Sequence, residues 1–182
     1  HKSEVSKPHY YKVYLADYDL TTEIAPTSRA AIFRFTFPES KNSYVVVDAF
    51  DRGSYVKVIP SENKIVGYTT RNSGGVPRNF RNYFVLPFDR PFTYTATVSE
   101  GNINAEEKEV TSKHAGGIVG FSTRRGEQVN VRVASSFISI EQAELNLKEL
   151  GNNTLEQVAE AGRQEWNKVL SRFDVQDLSN ID

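Results

Sequence analysis

Residues 71–85, RNSGGVPRNFRNYFV, crowd arginine, asparagine, two glycines and a proline ahead of an aromatic, β-branched run. Asn72, Gly74 and Gly75 admit positive φ and a sharp turn, and Pro77 stiffens the exit. Arg78 and Arg81, with Asn79 and Asn82, supply a dense set of hydrogen-bond donors. A loop of this composition can grip hydroxyls or carboxylates; it can equally be the solvated connection of a long hairpin. Arg71, Arg78, Arg81 and Arg90 also lie close in sequence to Phe80 and Tyr83, the mixture from which single-strand nucleic-acid platforms are made. Against that use, 22 Lys and Arg meet 23 Asp and Glu, and a net charge of −1 provides no field to draw in a polyanion. Nucleic acid is therefore not expected as a partner.

Other chemistries find less to work with. There is no G-x-S-x-G elbow and no cysteine, and His1, His9 and His114 are far apart in sequence. No H-x-x-x-H or H-E-x-x-H spacing exists to hold zinc, and KHAGG around His114 reads as a polar loop. The glycines of AGGIVGF (115–121) run from a loop into a strand, not from a strand into a helix, so they predict a bulge or a close backbone approach in place of a phosphate cradle. Asp48 and Asp51 in VVVDAFDRG are the nearest thing to paired carboxylates, able to hold Ca²⁺ or to act as acid and base. Hairpin ends also collect Asp for turn hydrogen bonds. Trp166 could stack on a sugar, but it shares a stripe with Val169 and Leu170, which predicts packing in the core.

The elements that must position these residues are mostly strands. Ala31, Phe33, Phe35 and Phe37 alternate with Ile32, Arg34 and Thr36, the period of a sheet with one face buried. Short runs of the same kind fall at 10–15, 44–50, 54–59, 64–70, 82–88, 92–98 and 129–135, separated by turn residues such as DRG, PSEN, EGN and RRGE. With no helical pattern between them, the connections are hairpins or arches, and the fold class is mainly β, an antiparallel β-sandwich. After it the period changes. Ser139 with Gln142, and Thr154 with Gln157, have capping-box spacing and start two C-terminal α-helices. In the second, Leu155, Val158, Ala159, Trp166, Val169, Leu170 and Phe173 form one apolar stripe. Gly151 suits the stop of the first.

The sequence of 182 residues is near the size of one domain. It has no methionine, so it is expected to be an excised or processed piece, and it carries neither a bilayer-spanning run nor a signal-peptide pattern. Without cysteine, disulfides and thiolate sites are excluded.

Four stretches, HKSEVSKPHYYKVYL, NSGGVPRNFRNYFVLPFDRPF, GGIVGFSTRRGEQVNVRVASSFISIEQAELNL and AGRQEWNKVLSRF, together resemble the N-terminal β-sandwich domain of glycoside hydrolase family 92, the α-mannosidases. The resemblance covers essentially the whole chain in order. It implies residues 1–138 as sandwich, part of the family's N-terminal domain, 139–173 as a helical linker packing on it, and 174–182 as a tail toward an (α/α)₆ catalytic toroid. It further implies a calcium-dependent, inverting exo-α-mannosidase of the α-1,2 type, bacterial and periplasmic or extracellular, that acts on mannose-containing glycans such as N-glycans. The catalytic carboxyls and calcium ligands of the family belong to the toroid. Hence no catalytic residue, metal ligand or cofactor is expected in this chain, which alone should be inactive. Asn72, Arg78, Asn79 and Arg81 are the residues expected to reach substrate or toroid. The competing expectation is a stand-alone carbohydrate- or protein-binding sandwich.

Overall fold

The computed structural model describes residues 4–173; His1 and the polar tail 174–182 lie outside the described residues. Thirteen strands precede two helices: β1 (Glu4–Lys7), β2 (Tyr10–Leu15), β3 (Leu20–Pro26), β4 (Ala30–Phe37), β5 (Ser40–Asp48), β6 (Ser54–Ile59), β7 (Lys64–Thr69), β8 (Asn82–Pro87), β9 (Tyr94–Ser99), β10 (Asn102–Asn104), β11 (Glu109–Ser112), β12 (Ala115–Thr123) and β13 (Glu127–Ser136), then α1 (Ile140–Asn146) and α2 (Leu155–Leu170). They build a nine-stranded sheet, β1-β2-β3-β4-β13-β8-β7-β6-β11, and a four-stranded sheet, β10-β9-β12-β5. The strand pairs are antiparallel, as the absence of helical crossovers predicts.

The alternation in β4 now has a physical meaning on both sides. Phe37 is buried between the two sheets with Phe33 and Phe35 packed against that core, whereas Ile32 is buried on the opposite face, under the helices. The inter-sheet core closes around Val56, Val58, Ile65, Val119, Val129 and Val131, with the rings of Phe88, Phe92 and Phe121 at centroid distances of 5.1 to 5.9 Å. The glycines of β12 are close approaches, as expected. A Cβ on Gly117 would lie 2.9 Å from Val56 Cγ1 of the facing sheet, and one on Gly120 would lie 2.8 Å from Tyr94 Cβ.

The third layer is helical. Ser139 Oγ accepts from Gln142 N–H at 3.1 Å, but the Gln142 amide turns to Asn146 Oδ1, leaving the first box half made. The second is complete: Gln157 N–H donates to Thr154 Oγ1, and Thr154 N–H to Gln157 Oε1. The first helix continues as a 3₁₀ turn over Leu147–Leu150, which Gly151 closes with φ of +51°. Leu150, Leu155 and Val158 bury against Ala25, Ile32, Val66 and Val85 of the large sheet. Arg34, whose side chain is only 13 % exposed, fastens α2 by pairing with both oxygens of Glu156 and lying beside Glu23. Those contacts hold the Glu156 carboxyl down to about 2; Arg34 is the main cause, and the Glu156 backbone N–H adds to it.

The stripe of α2 does not stay inside, which corrects the expectation for Trp166. Leu155 and Val158 are buried, but Trp166 is 46 %, Val169 56 %, Leu170 50 % and Phe173 82 % exposed. At Gly162 a Cβ would stand 3.0 Å from His9 Cβ in the β1–β2 turn, so the helix passes the end of the sheet at closest range. Beyond that point no strand among the described residues lies beneath it. A period of 3.6 marks an apolar face without identifying what covers it.

Candidate functional site

The strand registers gather the predicted residues at one end of the large sheet. Thr69 pairs with Asn82, Tyr83 with Ser136, Ala134 with Ala30, and Ala31 with Pro26. The 70–81 loop, the exit of β13 at Phe137 and the β3–β4 turn therefore share that end, and the apolar half of α2 projects past it, with Trp166 in a cleft lined by Pro8, Pro26 and Gly162.

Within the loop, Asn72 is committed to shape. Its Nδ2 donates to Thr70 O at 2.9 Å and its Oδ1 accepts from Gly74 N–H at 2.9 Å, while Arg52 donates to Asn72 O at 3.0 Å. Gly74 and Gly75 take φ of +111° and +73°, the left-handed excursion that their sequence suggested. A turn from Pro77 to Phe80 follows, and the Phe80 ring packs on Phe137 at 5.5 Å. Arg78 and Asn79 are exposed at the tip. Among the described residues the Arg78 side chain makes no hydrogen bond or ion pair. Arg81 donates to Asn79 O and lies 4.9 Å above the Tyr68 ring. Asn82 opens β8 with its Oδ1 buried and unpaired among the described residues.

The nucleic-acid grouping does not assemble. Arg71 pairs with Asp51, while Arg90 pairs with Glu127 beyond the opposite end of β8. Asp48 and Asp51 do not make a shared carboxylate site either. Asp48 accepts from Phe50 N–H at 2.8 Å and faces His114 Nε2 at 2.6 Å. Burial opposes its ionisation, but these two contacts outweigh it and hold the carboxyl below its ordinary value. Among the described residues no group of three or more His, Cys, Asp or Glu is placed to hold a metal ion.

Sequence reasoning missed a row of rings beside the loop. Tyr55, Tyr68 and Tyr83 line up across β6, β7 and β8 with centroids 5.7 and 5.8 Å apart. Each tyrosine sat in a recognised strand, yet only the pairing register brings them together. Phe137 and Ile138, 71 % and 74 % exposed, were hidden in the junction between strand and helix.

The elements make a helix-backed antiparallel sandwich with a donor-rich loop and exposed rings at one end. A sequence model of the Glycosyl hydrolase family 92 N-terminal domain matches residues 1–136, and the chain belongs to that family. Among solved structures, it is similar to an inverting family 92 mannosidase from Bacteroides thetaiotaomicron, at 34 % identity and a TM-score of 0.91 over 97 % of this chain and 24 % of the mannosidase. A family 92 α-mannosidase of the same organism, in complex with mannoimidazole, gives 29 % identity and a TM-score of 0.85 over 97 % and 24 %. The chain thus spans about a quarter of the length of these relatives. No match was found among curated proteins.

Proposed function

We propose that the chain is the non-catalytic N-terminal module of an exo-acting, inverting α-mannosidase of the α-1,2 type, and that its loop end faces the catalytic module and helps to wall the sugar cleft. The observation that carries this reading is the direction of α2. The helix leads the polypeptide out past the end that bears Arg78, Asn79 and Arg81, and it carries exposed Trp166, Val169, Leu170 and Phe173 with it. A module placed after Phe173 begins beside that loop. The similarity to inverting mannosidases supplies the substrate class.

In this reading the helical segment 139–173 joins the sandwich to an (α/α)₆ toroid. The toroid brings the acid and base carboxyls, at the ~6.5–9.5 Å separation that admits an attacking water in inverting glycosidases. Calcium belongs there too, and so does the choice among mannose-containing glycans. The whole protein works outside the cytoplasm, in the periplasm or beyond. Arg78 and Arg81 donate to sugar hydroxyls or to the toroid rim, while Asn72 acts by holding the turn that presents them.

The test uses the full-length enzyme carrying Arg78→Ala and Arg81→Ala. Loss of one charged hydrogen bond, about 1.5–3 kcal/mol, lowers kcat/KM roughly 10- to 150-fold. Unchanged kinetics in a folded variant would refute the assignment.

A further inference from the structure

The polypeptide crosses from the small sheet to the large one through a short turn between β5 and β6. Two residues of that turn, Phe50 at φ +62° and Arg52 at φ +75°, sit in the left-handed region without being glycine. A side chain there crowds its own backbone, so such residues persist only where the surrounding structure over-determines them. The surroundings here are firm. Ala49, which is buried, donates to Ala115 O at 3.1 Å, Asp48 Oδ1 accepts from Phe50 N–H at 2.8 Å, and Gly53 N–H donates to Lys113 O at 2.9 Å.

From this anchored turn, contacts reach the foot of the donor-rich loop. Thr70 Oγ1 donates to Arg52 O at 2.6 Å, Arg71 pairs with Asp51, and the Arg52 guanidinium donates to Asn72 O at 3.0 Å. Asn72 is also the residue whose side chain closes on Gly74 N–H. Arg52 therefore grips the backbone where the loop turns toward Arg78. Among the described residues its side chain makes no other hydrogen bond or ion pair. Glycine would take the φ of position 52 without crowding and would keep the carbonyl that Thr70 uses. Only the bond to Asn72 O needs the arginine.

We propose that Arg52 is a positioning residue, which fixes the foot of the 70–81 loop so that Arg78 and Arg81 are presented in one place, and which does not touch substrate itself. The inference rests on the reading of that loop as a wall of the sugar cleft. A loop that grips sugar hydroxyls away from the bond being broken acts equally in the ground state and the transition state, so loosening it raises KM and spares kcat. The effect is that of ordering one loop side chain on binding, about 2- to 10-fold in KM.

The test uses the full-length enzyme with α-1,2-linked mannobiose as substrate. Arg52→Gly should leave the urea midpoint no lower than the parent's, because the backbone crowding is relieved, while the amides of residues 73–76 exchange faster and KM rises by the stated factor. Arg52→Lys, which can still donate to Asn72 O, should recover most of the KM. With Arg78→Ala and Arg81→Ala already in place, Arg52→Gly should add nothing. An unmoved KM, unmoved exchange at 73–76, or an effect that adds fully to the loss from Arg78→Ala with Arg81→Ala would overturn the inference and leave the reading of the loop standing. A lower urea midpoint, with or without a change in KM, would make Arg52 a structural residue and overturn it too. Silence of Arg78→Ala with Arg81→Ala would end the reading of the loop and the inference together.

Discussion

Phe173→Ala separates a docking face from a frayed helix end. The ring is 82 % exposed, so its truncation in the chain 1–182 removes almost no buried surface, and stability should stay within about 0.5 kcal/mol of the parent. In the full-length enzyme the proposed toroid covers the ring. An aromatic side chain buries roughly 150–250 Å², so covering the exposed part is worth up to about 3–5 kcal/mol at ~25 cal/mol/Å². Ordering costs at a contact between modules reduce that figure to about 1–3 kcal/mol. Leu155→Ala is the control. It is 2 % exposed under the sandwich, and its truncation should cost about 2–5 kcal/mol with or without the rest of the enzyme. Urea unfolding of both variants in both lengths of chain provides the comparison. An equally silent Phe173→Ala in the two contexts would show that the end of α2 meets nothing, and the direction argument for the loop would fall with it.

Two further perturbations probe the sandwich itself. Gly67→Ala places a Cβ 2.2 Å from Tyr55 O and 2.6 Å from Phe84 Cζ; the carbonyl belongs to the β6–β7 ladder and cannot swing aside, so the urea midpoint should fall by the equivalent of about 1–3 kcal/mol or more. Glu156 has a folded value of about 2, below its ordinary value of 4.5. Its contribution to stability is therefore complete above about pH 4.5 and disappears as the pH falls toward 2. The side chain of Glu156 is 64 % exposed, which limits the pair to about 0.2–1 kcal/mol. Glu156→Gln should flatten the acid limb of stability against pH by that amount, and an unaltered limb would assign the shift to other carboxylates.

How much of this was legible in the sequence depended on whether a local rule decided the matter. Alternation in β4, the caps at Ser139 and Thr154, and the tight glycines of β12 are local, and each is present in the structure. β1 and β3 escaped notice because EVSK and LTTEIAP mix polar residues into strands that are only partly covered. The partners of the loop residues were beyond reach for a different reason. Arg71 meets Asp51, and Arg81 meets Tyr68, across strand pairings that depend on register. Once β6, β7 and β8 were aligned, the separation of Arg71 from the free Arg78 followed.

The mistaken burial of Trp166 and the apolar groove left open beside β5 come from the same gap between pattern and partner. Hydrophobic periodicity is selected wherever a face is covered, including faces covered by polypeptide from outside the domain. The two apolar surfaces lie at opposite ends of the large sheet. Phe173 and its neighbours stand beyond the turns at His9 and Ser28, and the groove, lined by Leu15, Leu20, Tyr44 and Val46, stands at the far end of β2 and β3. A sequence pattern therefore marks both faces as apolar while leaving open which polypeptide lies against each of them.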